Sequence, residues 1–514
     1  MEPLLISWHH KKYPEPVFSC DFHWSGRLAT AGGDATVKLW RVTVNTETRK
    51  HQVEFLANLC RHHRGVNCVR FAPGGPGDVI RLASASDDGC IFLWEPSKAD
   101  VDPDKDDKEA WSAVKMLKKH TEDIYDLAWS PDGRFLVSGS IDNSSIVWDA
   151  GKGVVLQRLH EHTHYVQGVS WDPLSTFLLT QSSDRSARFY KRMTRRKQLQ
   201  FRCLGQLKKR STKSIVAASN PGATEGDTAP PVFTHNYFRD ENISTFFRRM
   251  DWSPDGRVAV LPTGQFVEEG NEKIANACYI FSRFDLENPA LVLPFPGHRA
   301  VVAVRFSPRL YKHRPDTDYV ACSPLLPDIP YRMIFAVATL DGVFIMDTSC
   351  NAPVAFVDQL HYATLTDMSW NVDGSMLCIS SKDGYCSFLS FENEELGALF
   401  SPEEQEDVVR ELQDKESLAV LTKHERRKVL RKRLLPSDEG SSSSPSSEDE
   451  AETGGSELPS SVAETSGSDG SLKRTAVVME ATATSTKSTE EGPEKKRQKG
   501  ERKRIQPSIV SPLS

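Results

Sequence analysis

Carboxylates and imidazoles are the first side chains in this sequence whose spacing suggests chemistry. Asp34, Asp88, Asp142 and Asp184 each stand six residues before an aromatic residue: Trp40, Trp94, Trp148 and Tyr190. His120, His162 and His361 stand nine residues before Trp129, Trp171 and Trp370, and twenty-eight before Trp148, Tyr190 and Leu389. His62 joins this register once four extra residues around 74–78 are allowed, and Asp383 occupies the matching turn after His361. A His beside an Asp can act as a general acid and base. Recurrence argues for a different role: catalysis needs such a pair once, whereas a hydrogen bond tying a loop to a turn is needed in every repeat. A Trp N–H at the strand end, with a nearby serine such as Ser140, can complete the tie. His62, Asp88, Trp94, His120, Asp142, Trp148, His162, Asp184, His361 and Asp383 are therefore read as structural ties, and no catalytic residue is expected.

Other chemistry-bearing types point the same way. Gly32-Gly33 and Gly74-Gly75 lack the strand-to-helix setting of a phosphate cradle and are read as turn glycines. The ten cysteines include no Cys-x-x-Cys pair and no His/Cys zinc spacing, so neither a metal site nor a cofactor is expected. Their thiols are expected reduced, as in the cytosol or nucleus.

Ties of this kind need short strands to hold them. In residues 120–149, apolar positions run through Ile124, Leu127 and Trp129, and Ser130-Pro131-Asp132-Gly133 makes a tight turn. Phe135-Leu136-Val137 reads as a buried strand, and Ile146-Val147-Trp148-Asp149 closes a unit of four short strands. Proline pre-sets φ in the turn and glycine accepts a positive φ. A His…Asp…Trp unit recurring at this period marks a WD repeat, one blade of a β-propeller.

The reading is all-β: a seven-bladed WD-repeat β-propeller over residues 1–397. Blade one covers 16–42, blade two 53–94 and blade three 120–149. Blade four runs to about 191, blade five starts at 246, blade six covers about 297–346 and blade seven 361–391. Insertions are placed at about 97–110, 192–244 and 309–330. Leu4-Leu5-Ile6-Ser7-Trp8 is expected to add an outer strand to the last blade, closing the ring and removing an exposed edge.

After the last blade, Ser401-Pro402-Glu403-Glu404 carries a helix start: an N-cap serine, proline at the first position and Glu three residues after the cap. A charged helix is expected over 401–435. Residues 436–494 are rich in Ser, Glu and Thr and are expected to form a disordered linker. Residues 495–514 open with a cation cluster. Lys495, Lys496, Arg497 and Lys499 read as a nuclear import signal. The isolated apolar residues of Arg502-Lys503-Arg504-Ile505-Gln506-Pro507-Ser508-Ile509 suit an extended peptide added to a partner's sheet edge.

The formal net charge of −6 excludes a bulk nucleic-acid binder by charge alone, and direct DNA contact is left open. No charged-then-apolar leader opens the sequence and no apolar run approaches twenty residues, so neither secretion nor a membrane is expected.

Some runs are more specific than the repeat. His162-Thr163-His164-Tyr165-Val166-Gln167-Gly168-Val169-Ser170-Trp171-Asp172-Pro173, Phe246-Phe247-Arg248-Arg249 and Asp383-Gly384-Tyr385-Cys386-Ser387-Phe388 resemble the middle, WD-repeat subunits of chromatin assembly factor one. The likeness spans about residues 4–397. The histone-regulator, or HIRA-type, corepressors share the propeller and form the alternative.

This resemblance implies a non-enzymatic nuclear subunit of a three-protein histone chaperone, held with large and small subunits. The complex deposits core histones three and four on newly replicated or repaired DNA and is delivered indirectly by the replication clamp. Arg502, Lys503, Arg504, Ile505, Pro507 and Ile509 resemble the family's motif for the anti-silencing-function histone chaperone. Phe246, Phe247, Arg248 and Arg249, next to the irregular fifth blade, are placed as a contact for the large subunit. The corepressor alternative implies replication-independent nucleosome assembly.

Overall fold

The computed structural model describes residues 6, 8–10, 13–44, 51–99, 106–195, 198–213, 232–267, 274–295, 299–313, 326, 329–350, 352–392 and 395–420. Within them, seven antiparallel sheets follow one another along the chain, six of four strands and the last of three. Each begins with an inner strand and works outward by consecutive hairpins. The inner strand of blade one (Val17–Phe22) lies beside that of blade seven (Leu365–Trp370), so the sheets form a closed circle. Closure gives every sheet a neighbour on both faces.

Sequence repeat and structural blade are offset by one strand. His51–Leu59, read from sequence as opening blade two, pairs with Val37–Val44 and is the outer strand of blade one. Residues 120–149 hold three strands of blade three, not four; Val154–Leu159 is the fourth. The insertion placed at 192–244 starts too early. Ser186–Arg195 continues past its beginning, and Gln198–Leu207 is the outer strand of blade four. A hairpin of Lys209–Lys213 with Val232–Asn236 stands outside the blades. The extra strand expected from Leu4-Leu5-Ile6-Ser7-Trp8 falls largely outside the described residues. Trp8 itself is buried against Trp40 of blade one and Phe388 of blade seven, with ring centroids 4.8 and 6.1 Å away.

Alternation explains why flat sheets pack into a wheel. Side chains on successive strand positions face opposite sides, so each sheet offers one apolar face to each neighbour. Seven apolar clusters result among the described residues, one per junction between adjacent blades. Phe135 and Trp171, for example, stack across blades three and four at 6.2 Å. The turns behave as their residues dictate. Ser130 Oγ accepts from the Phe135 N–H at 2.9 Å, and Gly133 takes φ +61°.

The helix Pro402–Val420 starts as a capping box. The Glu404 N–H donates to Ser401 Oγ at 3.1 Å and the Ser401 N–H to Glu404 Oε2 at 2.7 Å. Its first turns dock on blade six: Gln405 Nε2 donates to the Pro308 carbonyl at 2.7 Å, and Val408 packs against the cluster of blades five and six. Residues 421–435 of the expected helix, the linker at 436–494 and the motif at 495–514 lie outside the described residues.

Candidate functional site

The predicted ties come together as hydrogen-bonded chains. In blade three, Trp148 Nε1 donates to Ser138 Oγ (2.9 Å), Ser138 lies 2.7 Å from His120 Nε2, and His120 Nδ1 lies 2.8 Å from Asp142. The carboxylate can only accept, so Nδ1–H donates to Asp142, while Ser138 Oγ takes the Trp N–H. Both ring nitrogens are thus engaged, and neither is left for a substrate. Blade two repeats it with Trp94, Ser84, His62 and Asp88 at 2.8, 2.8 and 3.0 Å. Blade four joins Thr180 to His162 at 2.7 Å and His162 to Asp184 at 2.9 Å. Tyr190, standing where the others have Trp, turns away to donate to Glu161 at 3.0 Å.

Three details depart from the sequence reading. The serine in blade three is Ser138, not Ser140; Ser140 Oγ accepts from the Asp142 N–H in the turn at 3.1 Å. A further tie exists in blade one, where His9 bridges Asp34 (2.8 Å) and Thr30 (2.9 Å), and Trp40 donates to Thr30. Sequence spacing missed it because His9 precedes Asp34 by 25 residues rather than the 22 of blades three and four. Blade seven is incomplete: His361 meets Asp383 at 3.1 Å, but among the described residues its buried Nε2 has no partner, because Ile379 stands in the serine position.

These ties lower the aspartate pKa values. Burial alone would raise Asp34 and Asp88. Hydrogen bonds and charge from His9 and His62, with backbone N–H donors, outweigh it and hold both at about 2. Asp142, Asp184 and Asp383 are lowered by the same balance.

Residues 246–249 sit at the axis. Phe247, Arg248 and Arg249 are buried, at 2%, 0% and 0% exposure, and only Phe246 faces outward. Three of the four residues assigned to a large-subunit contact thus have no surface to offer. The physical reason is visible in their partners. Arg249 donates to Asp126 of blade three at 2.8 Å, to the Asn67 carbonyl of blade two at 2.8 Å, and to the Phe18 carbonyl of blade one at 3.1 Å. Its Nε donates to the Thr366 carbonyl of blade seven at 3.3 Å and lies 3.4 Å from Asp367.

Asp367 is the opposite pole. It accepts from Arg70 of blade two (2.8 Å), Arg305 of blade six (3.0 Å) and Ser19 of blade one (2.8 Å). Burial alone would raise its pKa, but Arg249, Arg70 and Arg305 hold it well below the usual carboxylate range. Asp126 also accepts the Val169 N–H of blade four at 3.0 Å. One ionic network therefore touches every blade and plugs the axis. Burying so many charges is tolerable only because each is paired and hydrogen-bonded.

Arg248 differs. It donates to Gln167 Oε1 and to the carbonyls of Arg239 and Asp240, at 2.8, 2.7 and 2.6 Å, and burial draws its pKa down to about 10. Gly168 explains part of the run Tyr165-Val166-Gln167-Gly168-Val169: a Cβ there would collide with the Arg248 carbonyl oxygen. Among the described residues no group of His, Cys, Asp and Glu could hold a metal ion. Arg502, Lys503, Arg504, Ile505, Pro507 and Ile509, with Lys495, Lys496, Arg497 and Lys499, lie outside the described residues.

Residues 3–396 match the family described as the CAF1B/HIR1 beta-propeller domain. The chain is 37% identical over 410 residues to a chromatin assembly factor 1 protein of Gallus gallus, covering 76% of this chain and 67% of that protein. It is 38% identical over 399 residues to the chromatin assembly factor 1 subunit FAS2 homolog of Oryza sativa subsp. japonica, covering 76% and 73%. Protein HIR1 of Kluyveromyces lactis is similar at 28% identity over 421 residues, covering 77% and 44%.

Proposed function

The chain belongs to the CAF1B/HIR1 β-propeller family, and from that premise we propose that it is the propeller subunit of a chromatin assembly factor. It acts as a non-enzymatic nuclear scaffold in a histone-chaperone complex with a large and a small subunit. The complex deposits core histones three and four on newly replicated or repaired DNA. The observation that carries this reading is the difference in likeness: 33–38% identity to chromatin assembly factor subunits, against 25–28% to HIR1 proteins. The axial network adds a physical reason for a scaffold, since charges engaged by every blade hold the wheel rigid. The replication-independent, HIR-type reading remains the second choice on the weaker identities.

The tail supplies the second half of the proposal. Arg502, Lys503, Arg504, Ile505, Pro507 and Ile509 dock the anti-silencing-function histone chaperone by strand addition, while Lys495, Lys496, Arg497 and Lys499 direct nuclear import. Support comes from chemistry: import needs the cations but has no use for Ile505 or Ile509. Affinity capture of the full chain from nuclear extract, followed by mass spectrometry, tests both halves. The large subunit should be recovered with the wild type and with the Arg504→Ala, Ile505→Ala double variant, and the chaperone with the wild type only. Recovery of HIR-type partners without the large subunit overturns the assignment; full chaperone recovery by the double variant overturns the motif.

A further inference from the structure

Inner strands of a propeller all run the same way along the axis, so the residues that lead into them gather at one end of the wheel. Among the described residues, five exposed large hydrophobic side chains are aromatic, and four of them lie in those leads: Tyr13, Tyr165, Phe246 and Tyr362. The fifth, Phe284, follows a third strand instead.

Phe246 adjoins the buried run Phe247–Arg249 at the axis. Its ring is 55% exposed, yet it is held on both flanks. Tyr125 stacks on it at 5.8 Å with a 29° interplanar angle, and Lys382 Nζ lies 5.4 Å from its centroid. Beneath it Phe247 covers the Arg249 guanidinium at 4.3 Å and meets Tyr125 edge-on at 6.2 Å. The axis below is thus closed, and an occupant must lie across this end rather than enter it. An exposed aromatic ring fixed in one orientation loses little side-chain freedom on binding.

The charge beside this platform selects the occupant. Asp87 and Asp123 both act electrostatically on Tyr125, and neither forms an ion pair among the described residues. Asp87 accepts from Asn67, while Arg64 is the cation that faces both carboxylates. Burial raises the pKa of each, and for Asp123 the Asp87 charge adds to it. Exposed Glu122 adds to the same rim. Asp87, Asp123 and Glu122 outnumber the nearby cations Arg64 and Lys382, which disfavours a phosphate backbone. A Lys or Arg side chain meets two carboxylates with Arg64 as their shared cation, and the apolar residues of the same peptide meet the exposed part of the Phe246 ring.

We propose that this end of the propeller, centred on Phe246 and Tyr125 with Asp87 and Asp123, is a docking surface for a basic, apolar-bearing peptide segment of a protein partner. The surface is defined by this chain's own geometry and goes beyond the family reading, so either can fail without the other.

The test is fluorescence anisotropy with the full chain and a labelled dodecapeptide of alternating arginine, lysine and leucine. A glutamate-substituted peptide and a labelled single-stranded oligonucleotide serve as counter-probes. Phe246→Ala should weaken binding of the basic peptide about three- to tenfold. Asp87→Asn with Asp123→Asn should weaken it to a similar degree, and Phe284→Ala should leave it unchanged. Phe246→Ala carries no charge change, which separates the platform from bulk electrostatics, and its melting temperature should match the wild type because the ring is exposed. Unchanged affinity in Phe246→Ala, or tighter binding of the oligonucleotide that Phe246→Ala abolishes, overturns the proposal.

Discussion

Replacing Arg249 with methionine removes the charge at the axis while keeping most of the side-chain volume. Two consequences can be read from the network. Asp367 keeps Arg70 at 2.8 Å and Arg305 at 3.0 Å, so it stays paired. Asp126 loses its 2.8 Å partner and is left with Arg70 at 3.9 Å. The carbonyls of Phe18, Asn67 and Thr366 lose a donor as well. Breaking a buried pair from one side costs about 3–5 kcal/mol. With about 2.1 cal/mol/K of unfolding entropy per residue over residues 3–396, the melting temperature should fall by about 4–6 °C. Arg248→Met makes the control, because Arg248 donates to Gln167 and two carbonyls and to no carboxylate. It should cost about 1–3 kcal/mol. Calorimetry and urea unfolding would measure both, and adding Asp126→Asn to Arg249→Met should cost less than the sum of the single changes. An Arg249→Met protein within about 1 kcal/mol of wild type, or an Arg248→Met protein that is less stable, would refute the reasoning.

Three further outcomes follow from individual side chains. Asp88 is held at about 2 in the folded chain, below the ordinary carboxylate range, so its tie stabilises fully at and above that range and is lost as pH falls through about 2. The stability advantage of wild type over Asp88→Asn should therefore shrink between pH 4 and pH 2 in urea titrations. Asp21 is pushed up to about 6 by desolvation, so its contribution is lost as pH rises from the ordinary carboxylate range through that value. Asp21→Asn should gain relative to wild type from pH 4 to pH 7; a constant difference across that range would contradict the assignment. His120→Ala should destabilise by about 1–3 kcal/mol, since it takes a partner from both Ser138 and Asp142, and His361→Ala by less, since its Nε2 has no partner among the described residues. Equal losses in chemical denaturation would sink that comparison.

The wheel was legible in the sequence because its ties repeat with nearly constant spacing and its turns use residues with few alternatives. Ser130-Pro131-Asp132-Gly133 and the His120–Asp142 interval left little room for another architecture. Outer strands were harder to assign. His51–Leu59 and Gln198–Leu207 carry no tie residue, and a half-exposed strand follows its blade across a loop of any length, so pattern alone joined them to the wrong neighbour or to a loop. The choice of Ser140 over Ser138 failed on register: only Ser138 lies opposite Ile146, two residues from Trp148, on the buried side of its pair. Arg248 and Arg249 were misplaced for a different reason. Two adjacent arginines read as surface charge, because their burial depends on distant partners: Asp126, 123 residues earlier, and Asp367 of the last blade for Arg249, and Gln167 of blade four for Arg248. No local pattern reports such partners.

Replication-coupled nucleosome assembly in a nuclear extract depleted of this protein tests the central claim most directly. Supercoiling of newly replicated plasmid should be lost on depletion, return when the full chain is added together with its large and small partners, and stay absent when this chain is left out. Normal assembly on replicated DNA, with loss confined to unreplicated plasmid, would contradict the account.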